Sequence, residues 1–163
     1  MRLSVALDEG SVGRAISRLE EYAGSFEGRC GRLCEELAAL GVEVAQVTVR
    51  KDTGELASGI RLEKAGEREF LVVAESPYAA FVEFGTGVVG QGTYPGDLPS
   101  GWAYDERRTP AAHDRADPTR WYYVDRDGVT RSTRGQTANA YMAQAAEEMR
   151  GAVLAKAREV FGA

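Results

Sequence analysis

Residues 77–87 read Pro77-Tyr-Ala-Ala-Phe-Val-Glu-Phe-Gly-Thr-Gly87, an apolar and aromatic helix followed by a glycine turn. Ser76 can cap a helix that begins at Pro77, and Gly85 can end it as the left-handed residue after the last turn. A helix this short is marginal by itself, so tertiary or intersubunit packing must hold it. The segment therefore predicts an element built for contact with other parts of the chain or with other copies.

Glu83 is the one acidic residue of this segment. It either points to water or accepts a charged hydrogen bond from an arginine, for example one of a neighbouring subunit. No catalytic scheme needs this arrangement, so the segment predicts self-assembly and not chemistry. The candidate interface residues are Tyr78, Phe81, Glu83, Phe84, Gly85, Thr86, Gly87, Trp102 and Tyr104.

A long helix is predicted before this segment. Apolar residues recur from Val12 to Leu40 at alternating steps of four and three, the spacing of a coiled-coil or bundle seam. Cys30 lies on this stripe, which favours a packing role for Cys30 and Cys34 over zinc or disulfide chemistry. The β-branched residues from Val42 to Val49 would suit a strand, but the step pattern favours continuation of the helix.

Four short strands and a last helix complete the prediction. Residues 60–64 and 69–74 form one predicted hairpin, and residues 121–124 and 129–133 form another around Asp127-Gly128. Residues 138–161 carry the apolar stripe of a helix. The expected fold is α+β: a long N-terminal helix and a C-terminal helix packed on one small, mostly antiparallel sheet of about four strands, in a single domain over residues 1–163.

The segment from Gly85 to Pro118 is rich in glycine and proline and has no periodicity. We expect a long extended loop there, and structureless segments of this length inside a small domain are usually functional or disordered. Trp102 and Tyr104 predict that this loop docks onto another surface.

Composition narrows the class of function. The net charge of −5 provides no basic footprint for duplex DNA, and no apolar run approaches the roughly 20 residues that span a bilayer. No signal-peptide pattern follows Met1, so we expect a protein made and kept in the cytoplasm, without contact with membranes or with a specific nucleic-acid sequence.

Two motifs resemble ligand sites without meeting their requirements. Residues 85–90 match the glycine fingerprint of dinucleotide sites, but Gly92, Pro95 and Pro99 oppose the helix it needs. Asp125 begins an EF-hand-like loop whose glycine falls two positions early. No cofactor or metal is therefore expected.

Two alternative functions remain open. His113-Asp114 could act as a base and its orienting group in a small hydrolase, although no positioned nucleophile accompanies them. The arginines from Arg107 to Arg134, interleaved with aromatics, could bind nucleic acid. Six acidic residues nearly cancel their charge, which favours a salt-bridged face instead.

Three motifs, in this order, resemble those of a known family. Thr53-Gly-Glu-Leu-Ala-Ser-Gly-Ile60, the segment 77–87 and Gly135-Gln-Thr-Ala-Asn-Ala-Tyr-Met142 are similar to segments of the head–tail joining or tail-completion proteins of long-tailed bacteriophages, the gene-10 product family of lambda-like phages. There are two departures from the family pattern: Gly59 stands where serine is usual, and Asn139-Ala140-Tyr141 replaces the usual proline–phenylalanine pair.

The resemblance implies a non-enzymatic virion protein of a phage or prophage. It implies assembly as a ring in the host cytoplasm and a final place in the neck or tail of the virion. The implied partners are further copies of this chain, the head–tail connector and the tail-tube proteins. The loop 85–118 would then reach a neighbouring subunit or the tail tube.

Overall fold

A computed structural model describes residues 8–104 and 113–162. The helices are α1 (Glu9–Thr48), α2 (Glu55–Ser58), α3 (Ala79–Phe84), α4 (Gly87–Gly90) and α5 (Tyr141–Phe161). The strands are β1 (Ile60–Lys64), β2 (Phe70–Ala74), β3 (Trp121–Val124) and β4 (Thr130–Thr133). These elements confirm the predicted α+β class, with a long helix at each end of the described chain.

Helix α1 begins at a polar cap and runs through the region where helix and strand patterns competed. The Asp8 side chain accepts a hydrogen bond from the backbone N–H of Ser11 at 2.8 Å, which satisfies one of the free donors of the first turn. The helix continues to Thr48, so the prediction of a helix and not a strand after Gly41 is confirmed.

Helices α1 and α5 pack antiparallel. The rings of Phe26 and Phe161 lie 5.4 Å apart at one end of the contact. Further along the contact, a Cβ on Gly41 would lie 2.5 Å from the Sδ atom of Met149, so a side chain at this position would require the Met149 side chain to move.

The four strands form two separate antiparallel sheets. In the first, Ile60 of β1 pairs with Ala74 of β2, and this hairpin packs against α1. In the second, Trp121 of β3 pairs with Thr133 of β4. The expectation of one sheet of about four strands is therefore wrong, because the second hairpin packs through Trp121 against the glycine turn at Gly87 and not against β1 or β2.

The core lies where the C-terminal half of α1, strand β1 and the start of α5 meet. Its buried side chains are those of Ala45, Val49, Ile60, Tyr141 and Ala145. Tyr141 and Ile60 are the largest side chains that are fully buried, so the beginning of α5 is fixed to the middle of the molecule. Across residues 8–104 and 113–162, none of the helices combines the length and the hydropathy needed to cross a bilayer.

Candidate functional site

Helix α3 occupies the segment from which the fold was predicted. The Oγ atom of Ser76 accepts a hydrogen bond from the N–H of Tyr78 at 3.2 Å, and the helix proper begins at Ala79, two residues later than expected. It ends at Phe84, and Gly85 follows with a φ of 79°, so a glycine stops the helix as predicted, but the ψ of Gly85 lies outside the left-handed helical region that was expected. A ψ of 173° places this glycine in a region that is essentially closed to other residues.

The turn after α3 pairs with the segment that leads into α5. The N–H of Thr86 donates to the carbonyl oxygen of Gln136 at 2.9 Å, and the N–H of Gln136 donates back to the carbonyl oxygen of Thr86 at 3.1 Å. An antiparallel bridge between two residues 50 positions apart thus joins the second and third motifs. We call the contact between residues 77–90 and 134–143 the joint.

Glycines make this close pairing possible. A Cβ on Gly85 would lie 2.7 Å from the backbone nitrogen of Ala138, and a Cβ on Gly90 would lie 2.7 Å from the carbonyl oxygen of Gln136. Gly135 has a φ of 108°, and a Cβ there would overlap the carbonyl oxygen of Thr86. The glycines of residues 85–90 therefore serve a turn, as predicted, and they follow a helix where the dinucleotide fingerprint requires a strand.

The last carbonyl groups of α3 find donors in the third motif. The carbonyl oxygens of Val82 and Glu83 accept hydrogen bonds from the backbone N–H groups of Asn139 and Ala140 at 2.9 and 3.1 Å. The Nε2 atom of Gln136 donates to the carbonyl oxygen of Phe81 at 3.2 Å. The groups that a helix C-terminus leaves unpaired are thus satisfied from outside the helix.

The side chain of Glu83 accepts hydrogen bonds from free N–H groups at the start of α5. Its side chain is only 4% exposed, and its two oxygens accept hydrogen bonds from the backbone N–H groups of Met142 and Ala143 at 2.8 and 3.0 Å. Ala140, which precedes α5, has no side chain that could cap it. The expectation that Glu83 points to water or pairs with an arginine is therefore wrong. Its carboxylate caps the N-terminus of a helix of its own chain and places a negative charge at the positive end of the helix dipole.

The entry to α5 also explains one departure from the family pattern. Ala140 adopts a φ of 52° and donates its N–H to the carbonyl oxygen of Glu83. Proline holds φ near −65° and has no N–H, so it could provide neither feature. Ala140 therefore provides a backbone geometry and a hydrogen bond at the entry to α5 that proline could not provide.

Two tyrosines beside Glu83 are kept in the neutral form. Burial, followed by the negative charge of Glu83, raises the pKa of Tyr141 to about 12. The same two causes raise the pKa of Tyr94. The hydroxyl of Tyr141 donates to the carbonyl oxygen of Ala79 at 3.4 Å, which links the first residue of α5 to the first residue of α3.

An aromatic cluster packs against Phe84 and part of Phe81 in α3, and it leaves Phe81 partly exposed. The ring of Phe84 lies 4.9 Å from the rings of both Tyr94 and Trp102, in edge-on and tilted arrangements that aromatic pairs favour. The hydroxyl of Tyr104 donates to the carbonyl oxygen of Phe84 at 2.7 Å. The sequence predicted that Trp102 and Tyr104 would dock onto another surface, and that surface is α3 of the same chain.

The loop prediction is thereby corrected for the described residues up to 104. This part folds back onto α3 and contains the single turn α4, so it does not extend away from its own domain. Residues 105–112 of the loop lie outside the described residues, and its last part, residues 113–118, leads towards β3, where His113 forms a bridge with Trp121. Tyr78 remains 62% exposed and Phe81 41% exposed, so these two of the nine candidate interface residues present large apolar surface to solvent.

The end of α1 is tied to the same joint. The Oδ1 atom of Asn139 accepts a hydrogen bond from the N–H of Arg50 at 2.7 Å, and its Nδ2 group donates to the carbonyl oxygen of Thr48 at 3.3 Å. The first family motif contacts β2, because a Cβ on Gly59 would lie 2.8 Å from the carbonyl oxygen of Glu75. Glycine in place of the usual serine permits this approach.

His113 and Asp114, the residues of the alternative hydrolase function, are not arranged as that function requires. The Nδ1 atom of His113 lies 2.7 Å from the carbonyl oxygen of Pro118. Asp114 instead accepts hydrogen bonds from Ala116 N–H and the Tyr122 hydroxyl, which lower the pKa of its carboxyl group. Asp114 does not orient His113, so the pair lacks the arrangement of a base and its orienting group.

The arginines between β3 and α5 pair with aspartates. Arg134 contacts Asp117 at 2.5 Å, and hydrogen bonds from Thr119 and then Arg134 lower the pKa of Asp117 to about 2. Arg131 contacts Asp125 at 2.8 Å, which favours the salt-bridged face over a nucleic-acid surface. Arg107 and Arg108 lie outside the described residues. Cys30 and Cys34 are free, half-buried thiols on α1, and the described residues contain no cluster of potential metal ligands.

Comparison with protein families supports the resemblance drawn from the motifs. Residues 13–85 match the model of a family described as "Bacteriophage HK97-gp10, putative tail-component". The match covers most of α1, the first motif and the second motif as far as Gly85, and it confirms the predicted similarity over that part of the chain. No curated protein and no solved structure matches the chain.

Sequence patterns singled out the segment 77–87 but not the residues that contact it in the folded chain. Gln136 and Asn139 hold the joint together, although neither was singled out as a site residue. One feature of the sequence could have indicated these contacts. The third motif follows the second in the chain, and two motifs that occur together in a fixed order can also contact each other in the fold.

Proposed function

We propose that this protein is a non-enzymatic structural component of a phage or prophage particle that connects head and tail or completes the tail. The proposal is supported by the similarity of residues 13–85 to a phage tail-component family. In the proposed function, copies of the chain associate as a ring and contact the head–tail connector and the tail-tube proteins. Assembly takes place in the host cytoplasm, and the finished protein resides in the neck or tail of the virion.

The observation that carries the proposal is the joint itself. The segment that matches the family motif uses its backbone, its glycines and its acidic side chain to fix α3 against α5. This fixation holds the side chains of Tyr78 and Phe81 on the outer surface of α3. Large aromatic side chains held on a rigid element are typical of protein interfaces.

The nine candidate residues then divide by role. Tyr78 and Phe81 make direct contact with the partner, and Glu83, Gly85 and Gly87 shape the surface from within the chain. Phe84, Thr86, Trp102 and Tyr104 support it by packing and hydrogen bonding. This assignment replaces the simpler expectation that all nine residues face another subunit.

The function is tested by removing the gene from the phage or prophage that encodes it. We expect heads and tails to accumulate separately in electron micrographs, or tails to lack their finished end, and the intact gene supplied in trans should restore particles. Complete, infectious particles without the gene would contradict the proposal. The surface is tested separately with Tyr78→Ser and Phe81→Ser, and Tyr123→Ser on the exposed face of β3 is the matched control.

A further inference from the structure

The outer edge of β2 is open to pairing. The N–H of Glu75 donates to the carbonyl oxygen of Gly59 at 3.0 Å, which identifies a hydrogen-bonded pair in the ladder of β1 and β2. Because such pairs alternate with pairs that are not hydrogen-bonded, Phe70 and Val72 direct their N–H and C=O groups away from β1. Among the described residues these groups form no hydrogen bond, since β2 pairs with β1 alone.

The sequence of β2 does not protect this edge. Residues 70–74 contain neither a charged residue nor a proline, and Leu71 is 44% exposed. Folded proteins usually protect an open edge with charges, proline or a bulge, because an unprotected edge pairs with a strand from another chain. The edge of β2 is therefore suited to receive a strand from outside its own chain.

Strand β4 has an open outer edge of the same kind. The N–H of Asp125 donates to the carbonyl oxygen of Val129 at 2.9 Å, so by the same alternation Thr130 and Ser132 direct their N–H and C=O groups away from β3. Both residues are exposed. In residues 8–104 and 113–162, these backbone groups have no hydrogen-bond partner.

We propose that β4 of one copy pairs antiparallel with β2 of the next copy. The two hairpins then form one four-stranded sheet in the order β1-β2-β4-β3, which spans two copies. The outward groups of Phe70 and Val72 find partners in those of Thr130 and Ser132. Each hairpin gains from this pairing, because a sheet of two strands is only marginally stable in water.

Charge favours a contact between these two unlike edges. Glu69 and Glu75 border β2 and are both exposed. On β4, the Arg131 side chain is 57% exposed, whereas Asp125, its partner at 2.8 Å, is only 20% exposed, so the arginine is the part of the pair that faces outward. Two β2 edges would bring glutamates together and two β4 edges would bring arginines together, whereas β2 with β4 joins opposite charges.

This complementarity holds in every register that the open groups allow. If Phe70 or Val72 lies opposite Thr130 or Ser132 in an antiparallel pair, Arg131 becomes the direct or the diagonal neighbour of a glutamate at residue 69 or 75. Side chains alternate along each strand, and these three charges fall on the same face of the joined sheet. The charge match therefore does not depend on one choice of register.

The contact joins two different surfaces of the same chain. Such a contact can repeat from copy to copy and close into a ring. The inference rests on the ring association of the proposed function and assigns the strands that mediate it.

Disulfide trapping tests which strands meet. Leu71→Cys and Arg131→Cys are made separately in the full chain carrying Cys30→Ala and Cys34→Ala. Each protein is oxidised alone and in an equimolar mixture at about 1 mM, a concentration at which weak contacts are occupied. We expect several times more disulfide-linked dimer in the mixture than in either protein alone, because only the mixture places cysteines on facing strands.

Tyr123→Cys is the matched control for Arg131→Cys. Tyr123 pairs with Arg131 and lies on the same face of its hairpin, but one strand further from β2. Two strand spacings separate it from residue 71 by about 10 Å, which exceeds the reach of a disulfide. Equal trapping of Tyr123→Cys and Arg131→Cys would overturn the proposal. Trapping in Leu71→Cys alone or in Arg131→Cys alone would show that like edges meet, and absence of trapping in the mixture would show that the edges do not meet, so either result overturns it.

A proline substitution tests the hydrogen bonds of the edge. Ser132→Pro removes an N–H that points away from β3, so the hairpin should remain folded. Association of the full chain, measured by sedimentation equilibrium, should weaken roughly tenfold. Val124→Pro removes an outward N–H from the opposite edge of the same hairpin and should associate like the unmodified chain. Equal association of the two proline variants would contradict the proposal, and disulfide trapping decides the question if either variant unfolds.

These measurements are independent of the test of the proposed function. Trapping and sedimentation use the purified chain, whereas the proposed function is tested by deletion of the gene. Failure of the strand pairing would leave the head-and-tail phenotype of the deletion unchanged. Complete particles without the gene, together with trapping between Leu71→Cys and Arg131→Cys, would contradict the proposed function and support the pairing.

Discussion

The side-chain carboxylate of Glu83 in α3 accepts a hydrogen bond of 2.8 Å from the backbone N–H of Met142 in α5. The carbonyl oxygen of the same glutamate accepts the N–H of Ala140, just before that helix begins. One residue therefore satisfies a free donor at the start of α5 and has its own helix end satisfied by the same segment. Through this reciprocal capping, each of the two helices satisfies backbone groups that the end of the other leaves unpaired.

Removal of the Glu83 carboxylate should destabilise the protein. Glu83→Ala leaves two buried N–H groups without acceptors and removes a negative charge from a helix N-terminus, so we expect a loss of about 2–3 kcal/mol in the free energy of unfolding. Glu83→Gln keeps one acceptor and should lose less. Urea denaturation followed by circular dichroism gives both values.

The control for Glu83 is Glu147→Ala on the outer face of α5. The Glu147 side chain is largely exposed and forms only a surface pair with Arg150, so its loss should change stability by less than about 0.5 kcal/mol. Equal urea midpoints for Glu83→Ala and Glu147→Ala would contradict the capping role.

Gly135 should tolerate no side chain. In Gly135→Ala the new Cβ overlaps the carbonyl oxygen of Thr86 and the backbone has a φ of 108°, so we expect a loss of at least about 3 kcal/mol. Gly128→Ala is the matched control: its φ is also positive, at 75°, but nothing lies within 4 Å of the new atom. That variant should lose only about 1 kcal/mol. Similar thermal midpoints would show that the bridge between Thr86 and Gln136 is not maintained in solution.

Trp102 should hold the described part of the loop against α3. Trp102→Ala removes the ring that contacts both Phe81 and Phe84, and we expect a loss of about 2 kcal/mol. Limited proteolysis should then cut between residues 91 and 104 several times faster than in the unmodified chain. Tyr123→Ala, on an exposed strand, should leave the cleavage rate unchanged, and equal cleavage of all three proteins would refute the docking.

Ionisation of Tyr141 should lower the free energy of unfolding at alkaline pH. Burial and then the charge of Glu83 raise its pKa from 10.0 to about 12 in the folded state. The unfolded chain therefore releases the phenolic proton first, and the stabilisation is fully present below pH 10 and is lost as the pH rises towards 12. Tyr141→Phe has no proton to release, so the unfolding free energy of the unmodified chain should fall relative to that of the variant across that window. Parallel curves from pH 9 to pH 12 would contradict the prediction.

Sequence patterns were sufficient to predict those elements whose conformation depends mainly on interactions between neighbouring residues. The four-three spacing of α1 and the caps and glycines around α3 depend on neighbours within a few residues, and both elements are present. The hairpin turn at Asp127-Gly128 is likewise local, because Asp125 accepts hydrogen bonds from the N–H groups of Asp127 and Val129. Local patterns did not show that this hairpin forms a separate sheet, since sheet partners lie far apart in sequence.

The amino-acid sequence by itself determined the two long helices, the four strands, the glycine stop at Gly85 and the family resemblance of the middle segment. Only the tertiary structure decided that Glu83 caps α5 and that Trp102 packs against α3 of its own chain. It also decided that Gln136 binds the end of α3 and that Asn139 binds the segment after α1. The physical reason is the range of the interactions. Helix periodicity and turn conformation are fixed by adjacent residues, whereas a buried carboxylate needs a partner that only the folded chain brings within 3 Å.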